Sequence, residues 1–266
     1  MPDASGSTSG RAPALFVGHG SPINAIEDNV WSRAFRALGA ALPRPRAVLC
    51  VSAHWCARGS FLTSNERPRT IHDFAGFPAP LYAVEYPAPG DPALARRAAA
   101  LLGGGARTTD EWGLDHGAWS VLLHLFPRAD VPVVQLSVDL SLRPAEIVAA
   151  GRALAPLRDE GVMVLGSGNV THNLRHAFDS LRRGETAPPE WASSFDAAAA
   201  RAVEARDLDF LEGALAGEAG RTAHPTPDHY LPLLYVVGAA ADGERPTWPI
   251  VGFDMSSLSM RAALFG

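Results

Sequence analysis

Short, almost wholly apolar runs separated by longer helical patterns restrict this chain to a layered α/β architecture more tightly than any other feature it has. Ala14–Gly18 (ALFVG) and residues 47–53 (AVLCVSA) read as strands, as do residues 131–138 (VPVVQLSV) and 162–166 (VMVLG). A strand with one wet face alternates polar and apolar residues. These runs do not alternate, which is the mark of strands covered on both faces by helices, as in parallel sheets. Phe61–Thr63 and residues 249–253 are weaker candidates, expected at an edge. Between the strands, Asp91 followed by Pro92, ALARRAAALL and the glycines 103–105 gives a cap, a proline at the first helical position and a stop. Further helices are predicted over 143–158, 191–205, 207–215 and 229–240, the last with Asp228 as its cap. Pro188-Pro189 marks a turn, and no repeat or linker divides the chain. The expectation is one α/β domain over residues 13–266, with a central mostly parallel sheet flanked by helices, after a flexible tail of residues 1–12.

Composition narrows the setting. At 266 residues, 47% of them hydrophobic, the chain can bury a sizeable core. A net charge of −5 and the absence of any long basic run argue against a nucleic-acid partner. Cys50 and Cys56 form neither a C-x-x-C motif nor a disulfide framework, and Cys50 reads as a buried, reduced thiol. The opening MPDASGSTSGRA lacks the basic and apolar regions of a signal peptide. No apolar stretch reaches the roughly 20 residues needed to span a bilayer. A cytoplasmic protein without a membrane partner is expected.

The chemistry lies in the histidines. Of the nine in the chain, His19 follows the first strand in GHGSP, His54 closes the second in SAHW, and His172 follows the VMVLG strand in GSGNVTHNL. If those strands run parallel, the three imidazoles converge at their carboxyl ends, where open α/β sheets bind ligands. Imidazole binds metals in its neutral form, so a convergent set reads as a metal centre, although any one of these residues alone would read as a hydrogen-bonded strand-end histidine. His229 sits in HPTPDHYLPLL, where two prolines stiffen the entry to a helix; His224 in the same segment competes with it. His116, in WGLDHG, either faces a cavity or is buried against Asp115. His124 lies on an apolar helix and reads as core, His176 as surface. His72 belongs to a proline- and aromatic-rich excursion over residues 67–92, long enough to serve as a wall or lid. A nucleophile elbow is ruled out because Leu165 stands where G-x-S-x-G needs glycine, and GxGxxG and P-loop patterns are absent.

Taken in order, GHGSP, SAHW, DFAGFPAPLY, YPAPGDP, WGLDHG, GSGNVTHNL, HPTPDHYLPLL and the closing SSLSMRA resemble the 4,5-DOPA extradiol dioxygenase family. This is a branch of the class III, protocatechuate 4,5-dioxygenase-like ring-cleavage enzymes, and the resemblance runs from about Pro13 to the C-terminus. It implies a single α/β domain that opens a catechol ring with dioxygen. His19, His54 and His229 resemble the metal ligands. His172 resembles the acid/base histidine, near enough to be a fourth ligand to zinc, and His116 a second active-site histidine. Ser21, His72 and Tyr82 are the expected substrate contacts. The cofactor implied is one divalent ion, Fe(II) for ring cleavage, with Zn(II) as the other candidate, since three or four imidazoles also suit tetrahedral zinc. The wider class uses two histidines and a carboxylate, and here the third position is His229 with Asp228 beside it. The expected partners are a small aromatic diol and dioxygen, in a chain free to form a homo-oligomer. Two other readings stand beside this one: a zinc-dependent hydrolase, and a Memo-like binding protein without catalysis.

Overall fold

Alternate side chains of the central strands are sent to opposite faces of one sheet, and this explains their continuous apolarity. In β1 (Ala14–Gly18), Ala14 and Phe16 enter one core while Leu15 and Val17 enter the other. In β2 (Ala47–Ala57), Leu49 and Val51 face the first core, Val48 and Cys50 the second. The first core is closed by helices Pro144–Leu154 and Leu231–Ala239, the second by helices Val30–Ala41 and His116–Leu125. Each fully buried aliphatic residue contributes about 1.5–3 kcal/mol, so a strand buried on both sides is mostly apolar, and a polar exception such as Gln135 in the strand over residues 133–139 is hydrogen-bonded.

The computed structural model describes residues 10–266. The remaining strands are β3 (Phe61–Thr63), β4 (Arg107–Thr109), β5 (Val133–Asp139), β6 (Val162–Gly168), β7 (Thr247–Ile250), β8 (Phe253–Asp254), β9 (Leu258–Ser259) and β10 (Ala262–Phe265). Eight of them form one sheet in the order β4-β3-β5-β2-β6-β1-β10-β7, and β8 pairs with β9 in a separate hairpin. β5, β2, β6 and β1 are parallel neighbours, whereas β10 runs antiparallel to β1 and β7 antiparallel to β10. The expected α/β domain with a mostly parallel, helix-flanked sheet is what forms. No helix among the described residues is long and apolar enough to cross a membrane.

Several boundaries differ from the sequence expectation. The helix expected over 143–158 breaks at Pro156, which cannot donate to the preceding turn, giving Pro144–Leu154 and Pro156–Asp159. Helix Leu231–Ala239 starts after His229, and Asp228 does not cap it; that carboxylate turns instead to the His229 ring. β2 continues past His54 to Ala57. Ser52 pairs with Ser137 and Cys56 with Val138, so residues 53–55 leave the ladder as a bulge that re-aims His54. The edge strand β4, the strand β10, and helices Val30–Ala41 and Leu174–Arg183 carried no signal taken up from the sequence. Of the expected tail, residues 1–9 lie outside the described residues. Ala12 is held at both backbone groups: its N–H donates to the Arg158 carbonyl and its carbonyl accepts from Arg158 Nε at 2.7 Å. Arg158 is fully buried and also donates to the carbonyls of Ala239 and Phe265 and to the Glu244 carboxylate, so one guanidinium ties both ends of the chain together.

Candidate metal centre

At the carboxyl ends of β1, β2 and β6 the chain assembles five histidine rings. The His19 N–H donates to the Gly168 carbonyl at the end of β6, and the Asn169 N–H donates to the His229 carbonyl, so both histidines are fixed to the same strand end by backbone bonds. Gly168 is required there: a Cβ on it would lie 2.2 Å from the His229 oxygen. Gly117 does the same for His54, since a Cβ on it would lie 2.8 Å from the His54 ring. His19, His54 and His229 form a nearly equilateral triangle with ring centroids 5.0, 5.1 and 4.9 Å apart. His116 stands 3.8 Å from His54, and His172 stacks parallel on His229 at 3.4 Å.

Hydrogen bonds on Nδ1 fix which nitrogen of His19 and His229 faces inward, and a nearby carboxylate orients His54 the same way. Ser167 Oγ donates to the Gly117 carbonyl at 2.5 Å, which commits its only proton, so at 2.9 Å it must accept from His19 Nδ1. The Asp228 carboxylate accepts from His229 Nδ1, and Asp73 Oδ2 lies 3.3 Å from His54 Nδ1. With protons on the three Nδ1 atoms, the Nε2 lone pairs remain. His19 Nε2 and His54 Nε2 face each other at 3.1 Å, and the buried His229 Nε2 has no partner. Lone pairs opposed at that distance repel unless a cation lies between them. Two nitrogens about 2.1 Å from one ion, at octahedral to tetrahedral angles, are roughly 3.0–3.4 Å apart, so the spacing fits a shared ion. Among the described residues, side chains able to ligate fall in two groups, His19 with His54 and His116, and His172 with Asp228 and His229. The triangle spans both. His229 closes a triangle of nearly equal sides with His19 and His54, whereas the His116 ring lies 5.9 Å from His19.

Electrostatics keep these rings neutral, the form that binds metal. Burial, followed by the neighbouring rings, lowers His19 and His229 well below the usual histidine range. Burial brings His54 and His172 to about 3, helped by His116 and His224 respectively, and His224 to about 4. Each of these groups has a folded pKa below its unfolded value near 6.5. Stability is therefore complete above that pH and lost as the pH falls toward the folded values, at up to about 1.4 kcal/mol per pH unit for each histidine. Calorimetry on chelator-treated protein should show Tm dropping steeply below about pH 6.5, where unfolded histidine gains its proton. A flat Tm down to the carboxylate range would mean that these rings are hydrated rather than buried.

The sequence matches the family described as "Catalytic LigB subunit of aromatic ring-opening dioxygenase" over residues 13–266. The chain belongs to this LigB family. It is 49% identical to a 4,5-DOPA dioxygenase extradiol of Escherichia coli K12, over 97% of this chain and 96% of that one. To the 4,5-DOPA dioxygenase extradiol of Beta vulgaris it is 37% identical, over 90% and 91% of the two chains. A crystal structure of an uncharacterized Escherichia coli K12 protein superposes with a TM-score of 0.83 at 44% identity, covering 96% of this chain and all of that one. The chain is thus an extradiol-type aromatic ring-opening dioxygenase of the LigB family.

Within this LigB-family site, the other expected residues are distributed as follows. His116 begins helix His116–Leu125, and its ring bonds Asp73 rather than Asp115. Asp115 is instead the helix cap, and its buried carboxylate accepts from Ser52 Oγ and Gln135 Nε2. His72 lies against Phe74, Tyr82 and Trp119 and binds the Val84 carbonyl, while Tyr82 is 41% exposed. Ser21 uses its hydroxyl to cap the short 3-10 helix Pro22–Ala25. His224 stays out of the cluster, buried with Nε2 on the Val170 carbonyl. His124 is core, bonded to the Asn24 carbonyl, and His176 is half-buried against Trp191 rather than fully on the surface. The roles of Ser167, Asp73 and Asp228 are not legible in the linear motifs, because nothing in such a motif tells which polar neighbour will reach a ring nitrogen.

Proposed function

We propose that this enzyme opens the ring of a catechol-type diol with dioxygen outside the hydroxyl pair, using one divalent ion held by His19, His54 and His229. The observation that carries the reading is the triangle of three neutral imidazoles whose Nδ1 atoms all face oxygen acceptors, with the Nε2 atoms of His19 and His54 3.1 Å apart and the buried Nε2 of His229 without a partner. Bound there, a redox-active cation such as Fe(II) supplies Lewis acidity toward the diol oxygens and a one-electron route to dioxygen. Everything else falls to the side chains. His172 is held parallel to His229 at 3.4 Å, beside the triangle but outside it, where it takes the proton of one diol hydroxyl and returns it as the ring opens. His116 flanks the triangle against His54 and hydrogen-bonds the substrate or oxygen. Phe74 meets His116 edge-to-face and packs with Phe77, Tyr82, His72 and Trp119, forming an aromatic wall suited to an aromatic ring. Ser21, His72 and Tyr82 complete the substrate contacts. The relatives' name makes DOPA the first catechol to test.

Anaerobic reconstitution followed by an oxygen-electrode assay over a catechol panel tests the reading. Fe(II)-loaded protein is expected to consume one dioxygen per catechol and to form a yellow ring-opened product. Zinc-loaded protein is expected to consume none, because zinc has no redox chemistry. Ester or amide hydrolysis with zinc and no oxygen uptake with iron would replace this reading by a hydrolase. Inactivity with both metals would leave a Memo-like binding role.

A further inference from the structure

We infer that Asp73 is a positioning residue that locks the aromatic wall of the pocket onto the histidine cluster and sets which nitrogens of His54 and His116 face inward. The inference rests on the proposed metal site. Asp73 comes from the excursion over residues 67–92, not from the sheet, yet it arrives at a fixed point. The Ile71 N–H donates to the Leu114 carbonyl at 2.7 Å, and Trp119 Nε1 donates to the Ile71 carbonyl at 2.8 Å, which pins the backbone two residues earlier. From there one carboxylate serves two rings. Its Oδ1 accepts from the His116 backbone N–H and its Oδ2 from His116 Nδ1, both at 2.9 Å, and the same Oδ2 lies 3.3 Å from His54 Nδ1. The next residue, Phe74, turns its ring to the edge of His116 at 5.4 Å and touches Phe77 and Tyr82 at 5.2 Å. The wall and the inner rings are therefore joined through adjacent residues.

Asp73 is not needed to start helix His116–Leu125. Asp115 already caps that helix by accepting from the Ala118 N–H, so the contact of Asp73 with the His116 ring is additional to the helix signal. The Asp73 side chain is 18% exposed, at the boundary between pocket and interior. Its carboxylate is an acceptor only: it takes the His116 Nδ1 proton and, 3.3 Å from His54 Nδ1, favours the proton on that nitrogen as well. Partners of this kind, acting on a ligand's other nitrogen, typically change metal affinity about 10–100-fold when removed.

The test compares Asp73→Ala, Asp73→Asn and Asp73→Glu in the full-length protein. Zn(II) affinity is measured by competition dialysis, ring tautomers by NMR of histidine-15N-labelled metal-free protein, and Tm by calorimetry. Asp73→Ala and Asp73→Asn are expected to weaken Zn(II) binding about 10–100-fold and to move the His116 proton from Nδ1 toward Nε2, with Tm nearly unchanged. Asp73→Glu, which keeps the charge and the acceptor, is expected to restore most of both. Unchanged Zn(II) affinity and tautomer in Asp73→Ala overturn the inference. So does a loss accompanied by a large fall in Tm that Asp73→Glu does not repair, since that describes structural support alone. If the wild type binds no Zn(II), the proposed metal site fails, while the tautomer measurement still decides the role of Asp73.

Discussion

His229→Ala is expected to strip the protein of stoichiometric metal and reduce ring opening to background, with the fold intact. The His229 backbone carbonyl accepts from the Asn169 N–H whatever the side chain, and helix Leu231–Ala239 begins beyond it, so the local chain path survives. What disappears is the buried Nε2, which has no protein partner and is oriented by the Asp228 carboxylate on Nδ1. His19→Ala and His54→Ala should behave alike, because a site with one of three ligands missing loses both affinity and geometry. His224→Ala is the control. Its Nε2 is engaged by the Val170 carbonyl, so metal should remain while stability falls by about 1–3 kcal/mol for the unpaired buried carbonyl. Elemental analysis of each purified variant decides the matter, and full metal content in any of the first three removes that residue from the ligand set.

The second large effect is expected at His172. Its ring lies parallel to His229 at 3.4 Å, so His172→Phe keeps the stacking surface and removes only the nitrogens. A group that handles a proton in the transition state affects rate far more than ground-state binding. Hence kcat should fall about 10²–10⁴-fold while metal content and catechol dissociation constant stay near wild type. Rapid-mixing kinetics with parallel metal analysis separates the outcomes. Metal loss would make His172 a ligand, in keeping with its nearness to Asp228 and His229. An unchanged rate would hand the proton to His116.

Much of the site could be read along the chain because parallel sheets place their ligand-binding residues just after strands. His19 after Gly18, His54 in β2 and His172 beyond β6 each follow a run whose apolarity identifies it as a central strand. Once those strands are adjacent, the convergence of the three rings is geometric necessity. His229 was legible for another reason: the prolines around it restrict its backbone before any tertiary contact forms. The partners were not legible. Asp73 lies 43 residues from His116, and Ser167 lies 148 residues from His19.

The sequence alone determined the layered α/β fold and the family and placed His19, His54 and His172 at strand ends, while leaving His224 in competition with His229, since burial pattern, strand-end placement and motif order are properties of the linear chain. Tertiary structure decided which nitrogen of each ring points inward. It did so by bringing the Ser167 hydroxyl and the carboxylates of Asp73 and Asp228 to the Nδ1 atoms. It also decided that His172 stacks beside the triangle and that Asp228 serves a ring rather than capping a helix. Hydrogen-bond direction and ring spacing act over about 3 Å between residues far apart in sequence, and only the folded packing of sheet, excursion and helix termini brings them within that range.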